Sequence, residues 1–139
     1  LTEHPPVFEL SPVGRVRNDR HDRSALPHQG RGRDVRSVIE LKPRFEPAAR
    51  EIRPGDLYWV LTWLHLADRD LLRAHPRGDK SRPERGVFSL RSPGRPNPIG
   101  LSLVEVTAVS GLRLDVRGLE VLDGTPVLDI KPYVPEADR

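Results

Sequence analysis

Ile99-Gly100-Leu101-Ser102-Leu103-Val104-Glu105-Val106-Thr107-Ala108-Val109 leads through Ser110-Gly111 into Leu112-Arg113-Leu114-Asp115-Val116-Arg117. The first eleven residues read as a strand. Their apolar positions start on odd numbers (Ile99, Leu101, Leu103) and move to even ones (Val104, Val106). A shift of one residue is what a β-bulge produces, and bulges bend strands into barrels. Ser-Gly is a tight-turn signal, and Leu112, Leu114 and Val116 alternate with charged residues as a half-buried hairpin partner does.

Working outward, Leu119–Leu122 and Val127–Ile130 flank Asp123-Gly124-Thr125-Pro126, which predicts a second hairpin. Upstream, Phe8–Val16 reads as a strand with a bend at Gly14, and Val38–Leu41 as a short strand. Pro47–Ile52 reads as a short helix ended by Pro54-Gly55-Asp56. Leu57–Leu66 is almost wholly apolar and reads as a strand buried on both faces, although periodicity alone also admits a helix. Gly86–Leu90 is strand-like, and a helical turn is expected over Arg69–Arg73. Residues 18–36 and 68–85 are long charged loops, a length that usually carries function. The expected class is all-β: a small antiparallel β-barrel with short helical turns and long loops.

The chain has 139 residues, enough for one domain over 1–139. Fifteen prolines and eleven glycines disfavour a bundle of long helices. With no cysteine there is no disulfide, thiolate metal site, iron–sulfur cluster or cysteine nucleophile. His4, His21, His28, His65 and His75 lack metal-ligand spacing, so no metal is expected. The longest apolar run, Leu57–Ala67, is broken by Thr62 and His65 and falls short of the roughly 20 residues of a membrane span. No charged-then-apolar leader is visible, and the expected location is the cytoplasm.

Net charge is only +3, but it is unevenly spread. Residues 15–36 carry seven arginines against three aspartates, residues 69–95 carry eight basic groups against three acidic ones, and the chain after Pro96 is net negative. Arginine outnumbers lysine 20 to 3. Two basic blocks rich in arginine suit phosphates and planar bases, although an arginine-biased composition also fills solvated loops.

Two stretches carry chemistry. Arg91-Ser92-Pro93-Gly94-Arg95-Pro96-Asn97-Pro98 holds three prolines, which fix φ and push the preceding residues toward extended conformations. Such a loop loses little entropy on binding, and it also reads as a stiff corner or a polyproline ligand. In Leu119–Tyr133 a carboxylate, a hydroxyl and a turn backbone meet at Asp123-Gly124-Thr125, which in isolation reads first as a plain hairpin turn and second as a grip for an ammonium or a ribose, or an acceptor for a proton. Neither a glycine-rich dinucleotide fingerprint, a P-loop nor a nucleophile elbow is present.

Gly86-Val87-Phe88-Ser89-Leu90-Arg91-Ser92-Pro93-Gly94-Arg95-Pro96-Asn97-Pro98-Ile99-Gly100-Leu101-Ser102 resembles the signature of the TsaA-like (YaeB-like) domain family, and Leu122–Tyr133 resembles its second signature. Val13–Arg17, Pro27–Gly30 and Leu57–His65 are similar more weakly, and the resemblance covers about 10–135. It implies a barrel that binds S-adenosyl-L-methionine outside any Rossmann fold and acts as a homodimer. The implied reaction is N6-methylation of threonylcarbamoyladenosine at position 37 of tRNA. The family's cofactor positions fall on His28, Gln29 and Gly30, then Leu64 and His65, Arg91 and Leu101, and Leu122, Asp123, Gly124 and Thr125. The family pattern has Arg-Gln-Pro where this chain has His28-Gln29-Gly30. Asp123, Asp129 and Tyr133 are the candidate bases for the departing proton. Arg20, Arg23, Arg31, Arg33, Arg73, Arg77, Arg82, Arg85 and Arg95 are the candidates for holding the anticodon stem-loop. The alternatives are methyl transfer to a small molecule or another RNA, and a non-catalytic cofactor- or RNA-binding barrel.

Overall fold

The computed structural model describes residues 5–21 and 35–138. Six antiparallel strands close into a barrel: β1 (Gly14–Arg17), β2 (Arg36–Leu41), β3 (Leu57–Trp63), β6 (Ile99–Ser110), β7 (Arg113–Arg117) and β8 (Pro126–Pro132). Around the ring the order is β1-β2-β7-β6-β3-β8, with β8 returning to β1. Outside the ring, β4 (Arg73–Ala74) and β5 (Arg85–Gly86) form a small two-stranded ribbon. The helices α1 (Glu46–Ala49) and α2 (Pro135–Asp138) are single turns. No helix among the described residues is long and apolar enough to cross a membrane.

The interior is a sleeve of β-branched and aliphatic side chains: Val16, Ile39, Val60, Val104, Val106, Leu114, Val116 and Val127 are all essentially buried. Val and Ile dominate because their branched side chains suit a pleated, fully covered surface. Leu119 and Val121 close one end, and Ile52, packed with Ala49 and Tyr58, closes the other.

The most informative strand is β6. Its register with β3 is continuous from Trp63↔Ile99 to Leu57↔Glu105. The expected bulge near residue 103 is therefore absent, and the register irregularity falls between Val106 and Ala108, opposite β7. Val104 and Val106 face the core. Ile99, Leu101 and Leu103 face outward and are 41%, 53% and 39% exposed. The change of apolar phase is two apolar faces on one strand. β3 behaves likewise: Val60 and Thr62 are buried while its odd positions face outward, so it is not covered on both sides.

Other expectations are corrected by pairing. Phe8–Val13 has no partner strand, and β1 begins at Gly14, where a Cβ would sit 2.3 Å from the Glu40 carbonyl. Leu119–Leu122 is not a strand, because side chains from residues 18 and 20 occupy its carbonyls. Gly86–Leu90 is the end of β5 followed by a 3-10 turn at Val87–Ser89, and Arg69–Arg73 forms no helical turn. The turn at Gly111, with φ of 60°, is as the sequence predicts.

Candidate functional site

The register brings the two signature stretches to one end of the barrel. Thr62, near the end of β3, pairs with Gly100 on one side and Val127 on the other. The proline loop enters β6 just before Gly100, and the acidic turn enters β8 just before Val127. They flank the end of β3 at a distance of two strand spacings, about 10 Å. Between Leu61 and Thr62 the register of β8 slips, so Leu128 is an extra residue there. Such a bulge twists a strand where a rim is formed.

Side chains hold the proline loop in place. Leu64 N–H donates to the Pro98 carbonyl at 2.8 Å, continuing the ladder, and Arg95 N–H donates to the Asp68 carbonyl at 3.0 Å. Arg69 donates to the Pro96 carbonyl (2.8 Å) and to Asn97 Oδ1 (3.1 Å), and its guanidinium lies 5.1 Å from the Trp63 ring centroid. A Cβ on Gly94 would meet Leu71 at 2.7 Å, so only glycine allows this approach.

The acidic turn is held as firmly by the segment after β1. Gly124 N–H donates to the Val16 carbonyl and Asp123 N–H to the Arg20 carbonyl, both at 2.7 Å. Gly124 takes φ of 82°, which the turn requires. Asn18 is the staple. Its backbone N–H donates to Asp123 Oδ1 (2.9 Å), and its amide donates to Ser37 Oγ (3.1 Å) and the Val121 carbonyl (3.0 Å). Asp123 also has Arg17 Nε at 3.4 Å from Oδ1 and His21 Nδ1 at 3.8 Å from Oδ2. Thr125 is buried, and its hydroxyl donates to the Leu122 carbonyl at 2.6 Å.

Leu64, His65, Arg91, Leu101 and Leu122–Thr125 therefore share one rim. His65 and Arg91 are exposed, Leu64 packs against the core, and Leu101 is on the outer face. His28, Gln29 and Gly30 lie outside the described residues, as do Arg23, Arg31 and Arg33. The three candidate bases are not gathered. Asp123 is at the rim. Asp129 is exposed partway along β8 with Lys131 at 3.9 Å, and Tyr133 lies past the other end of β8, stacked near Trp59.

Two of the candidate RNA contacts have internal roles. Arg20 is buried and donates to the Arg36 and Leu119 carbonyls and to Ser37 Oγ. Burial lowers its pKa, and nearby Asp19 and Glu120 act in the opposite sense. Arg95 donates to the Val87 and Leu90 carbonyls. Arg73 pairs with Glu84 at 3.3 Å, while Arg77, Arg82 and Arg85 are exposed.

Sequence reasoning missed Thr62, Asn18 and Arg69. Thr62 is fully buried, and its hydroxyl has no hydrogen-bond partner. Opposite it, a Cβ on Gly100 would lie 2.4 Å from Thr62 Oγ1 and 3.3 Å from Leu64. A glycine inside a strand was the available signal for such a close approach. Neither of two hollows among the described residues includes Thr62 or Gly100. One, of about 330 Å³, is lined by Val13, Leu41, Phe45, Ile52, Tyr58 and Ile130 at the opposite end. The other is an open groove of about 640 Å³ along Arg17–Arg20 and Arg36–Val38, adjoining the staple of the acidic turn.

A closed six-stranded barrel with a prolyl loop and an acidic turn at the same end defines the class, a small antiparallel β-barrel domain. The chain belongs to the tRNA-methyltransferase O N-terminal domain family, whose model matches residues 15–139. It is 47% identical over 131 residues to a probable S-adenosyl-L-methionine-binding protein of Methanothermobacter thermautotrophicus, covering 94% of this chain and 93% of that one. It is 44% identical over 129 residues to an S-adenosyl-L-methionine-binding protein of Archaeoglobus fulgidus, covering 93% and 91%. The crystal structure of TrmO from Pseudomonas aeruginosa superposes with a TM-score of 0.77 at 37% identity, covering 96% of this chain and 59% of that one. The chain thus spans about three-fifths of that TrmO chain.

The residues present fit a nucleoside-based methyl donor. Gly100 lets Thr62 and Leu64 close this end of the barrel tightly, with the Thr62 hydroxyl wholly buried, so the contacts such a donor would make are to the turn backbone and the exposed side chains above it. Asp123, His65 and Arg91 supply a polar rim of both signs.

Proposed function

We propose that this barrel binds S-adenosyl-L-methionine at the rim formed by the ends of β3, β6 and β8, and transfers its methyl group to a tRNA base. The substrate proposed is N6 of threonylcarbamoyladenosine at position 37, in the cytoplasm. The observation that carries the reading is the convergence of Arg91–Pro98 and Leu122–Thr125 on either side of Thr62. Family membership and the relatives named for S-adenosyl-L-methionine support it.

When bound, the sulfonium supplies an electrophilic methyl carbon. This chain's residues must then orient that carbon against the attacking nitrogen, and orientation alone is worth on the order of 7–11 kcal/mol in well-aligned cases. Leu64 and Leu122 would provide apolar contact at the barrel end and Leu101 from its outer face, turn backbone at Asp123–Thr125 the hydrogen-bonding edge, and Arg91 the counter-charge for the methionyl carboxylate. Of the candidate bases, only Asp123 is at the rim. Asn18 N–H fixes its Oδ1 and leaves Oδ2 facing His21.

The protein acts as a homodimer in this reading. The outer apolar face of Leu57, Ile99, Leu101 and Leu103 is the surface that would be covered.

The test is calorimetry with S-adenosyl-L-methionine, followed by transfer of labelled methyl to bulk tRNA and to a small-molecule panel. Arg91→Ala is expected to weaken cofactor binding, and unchanged affinity rejects its role. A second reading, a binding module without transfer, is favoured by relatives named only for binding. Tight cofactor binding with no transfer to any acceptor selects it.

A further inference from the structure

Phe88 is 89% exposed, although the turn carrying it is among the most firmly fixed parts of the loop region. Val87, its neighbour, is buried, and its N–H donates to the Leu72 carbonyl at 2.9 Å. Leu90 N–H closes the 3-10 turn onto the Val87 carbonyl at 3.1 Å. Arg95 reaches the carbonyls of both Val87 and Leu90. A mobile Phe on a frayed loop needs no explanation. A fixed turn that holds a phenyl ring in water gives up the favourable burial of a large apolar side chain. The surroundings of the ring are cationic. Arg85 and Arg91 are exposed on either side of it in sequence, and Glu84, the acid next to Arg85, already pairs with Arg73.

We infer that Phe88 is a stacking platform for an unpaired nucleobase, with Arg85 contacting an adjoining phosphate. The inference rests on the tRNA reading above and adds to it the residue that recognises a single-stranded segment. A fixed aromatic ring with exposed arginines close by in sequence is the chemistry that takes up splayed bases, since every base has a π-face and every linkage a charge. Arg95 is then a positioning residue, holding the turn rather than meeting RNA.

The experiment measures binding of a labelled anticodon stem-loop, at one fixed salt concentration, to the full chain and to Phe88→Ala, Phe88→Trp and Phe88→Leu. Phe88→Ala is expected to weaken binding about 5- to 100-fold, the range for losing one stacked base. Phe88→Trp should restore affinity, whereas Phe88→Leu, which returns apolar area without a π-face, should not. A blunt, fully paired RNA duplex without a loop should bind all four proteins alike. Cofactor affinity and melting temperature should be unchanged throughout. Equal stem-loop binding by wild type and Phe88→Ala overturns the inference, as does full rescue by leucine. Conversion of a dimer to a monomer by Phe88→Ala also overturns it and assigns the ring to a protein contact. Absence of stem-loop binding by the wild type rejects the tRNA reading itself, and the stacking role with it.

Discussion

Gly100→Ala tests the packing that closes the barrel beside the rim. Gly100 has ordinary strand geometry, so an alanine there carries no backbone penalty. Its Cβ would sit 2.4 Å from Thr62 Oγ1. Thr62 is fully buried and paired on both sides, and a β-branched side chain has little freedom to rotate away. Overpacking of this kind costs about 1–3 kcal/mol. At about 2.1 cal/mol/K per residue, 139 residues give an unfolding entropy of about 0.3 kcal/mol/K, so the melting temperature should fall by about 3–10 °C. Thr62→Ala removes a methyl group and a hydroxyl without a partner, so it should cost only about 1 kcal/mol, or about 3 °C. The double variant Gly100→Ala/Thr62→Ala has lost the clashing atom and should melt near Thr62→Ala alone, a favourable coupling of about 1–3 kcal/mol. Gly100→Ala/Thr62→Val keeps a γ atom in that position and should not recover. Calorimetric melting of the set, with cofactor titration of each member, provides the readout. A double alanine variant that melts at the additive sum, or equal recovery with valine, refutes the steric account.

Asn18→Ala removes the amide that joins Ser37 and the Val121 carbonyl beside the acidic turn. Stability should drop by about 1–3 kcal/mol, with cofactor affinity falling as Leu122–Thr125 loosens, by melting and calorimetry. Leu103→Glu places a charge on the outer apolar face, two residues along β6 from Leu101, and sedimentation should show a dimer becoming monomeric with the fold intact. Asp138 has its pKa lowered by the Val134 N–H and then by the Trp59 indole N–H at 3.0 Å. A depressed carboxylate adds stability above its unfolded value of about 3.9 and loses it as pH falls through the folded value. Trp59 emission in a Trp63→Phe background should therefore change on acidification below about pH 4, and Asp138→Ala should abolish that change.

Much of the fold was legible because hairpins announce themselves locally. Ser110-Gly111 and the alternation of Leu112–Arg117 describe β6 and β7 without tertiary knowledge. The misread bulge shows the limit. Alternation tells buried from solvated only when one face is polar, and β6 is apolar on both over Ile99–Leu103. Phe8–Val13 has strand composition but no strand to pair with, which only the assembled ring decides. At the rim, the prolines and the Asp-Gly turn were visible as unusual residues. Asn18, Arg69 and Thr62 were not, because their roles rest on partners 19 to more than 100 residues distant, or on having none.

The ring closes through only two residue pairs between β1 and β8, Gly14↔Val127 and Arg15↔Pro126, whereas β3 and β6 share seven. That join is the seam where breathing of the barrel begins. The acidic turn is anchored directly beyond it, through Val16 N–H on the Thr125 carbonyl and Gly124 N–H on the Val16 carbonyl. Whatever occupies the turn therefore fastens the zip, and hydrogen exchange at Val16 and Gly124 should slow on ligation while the β3–β6 amides keep their rates.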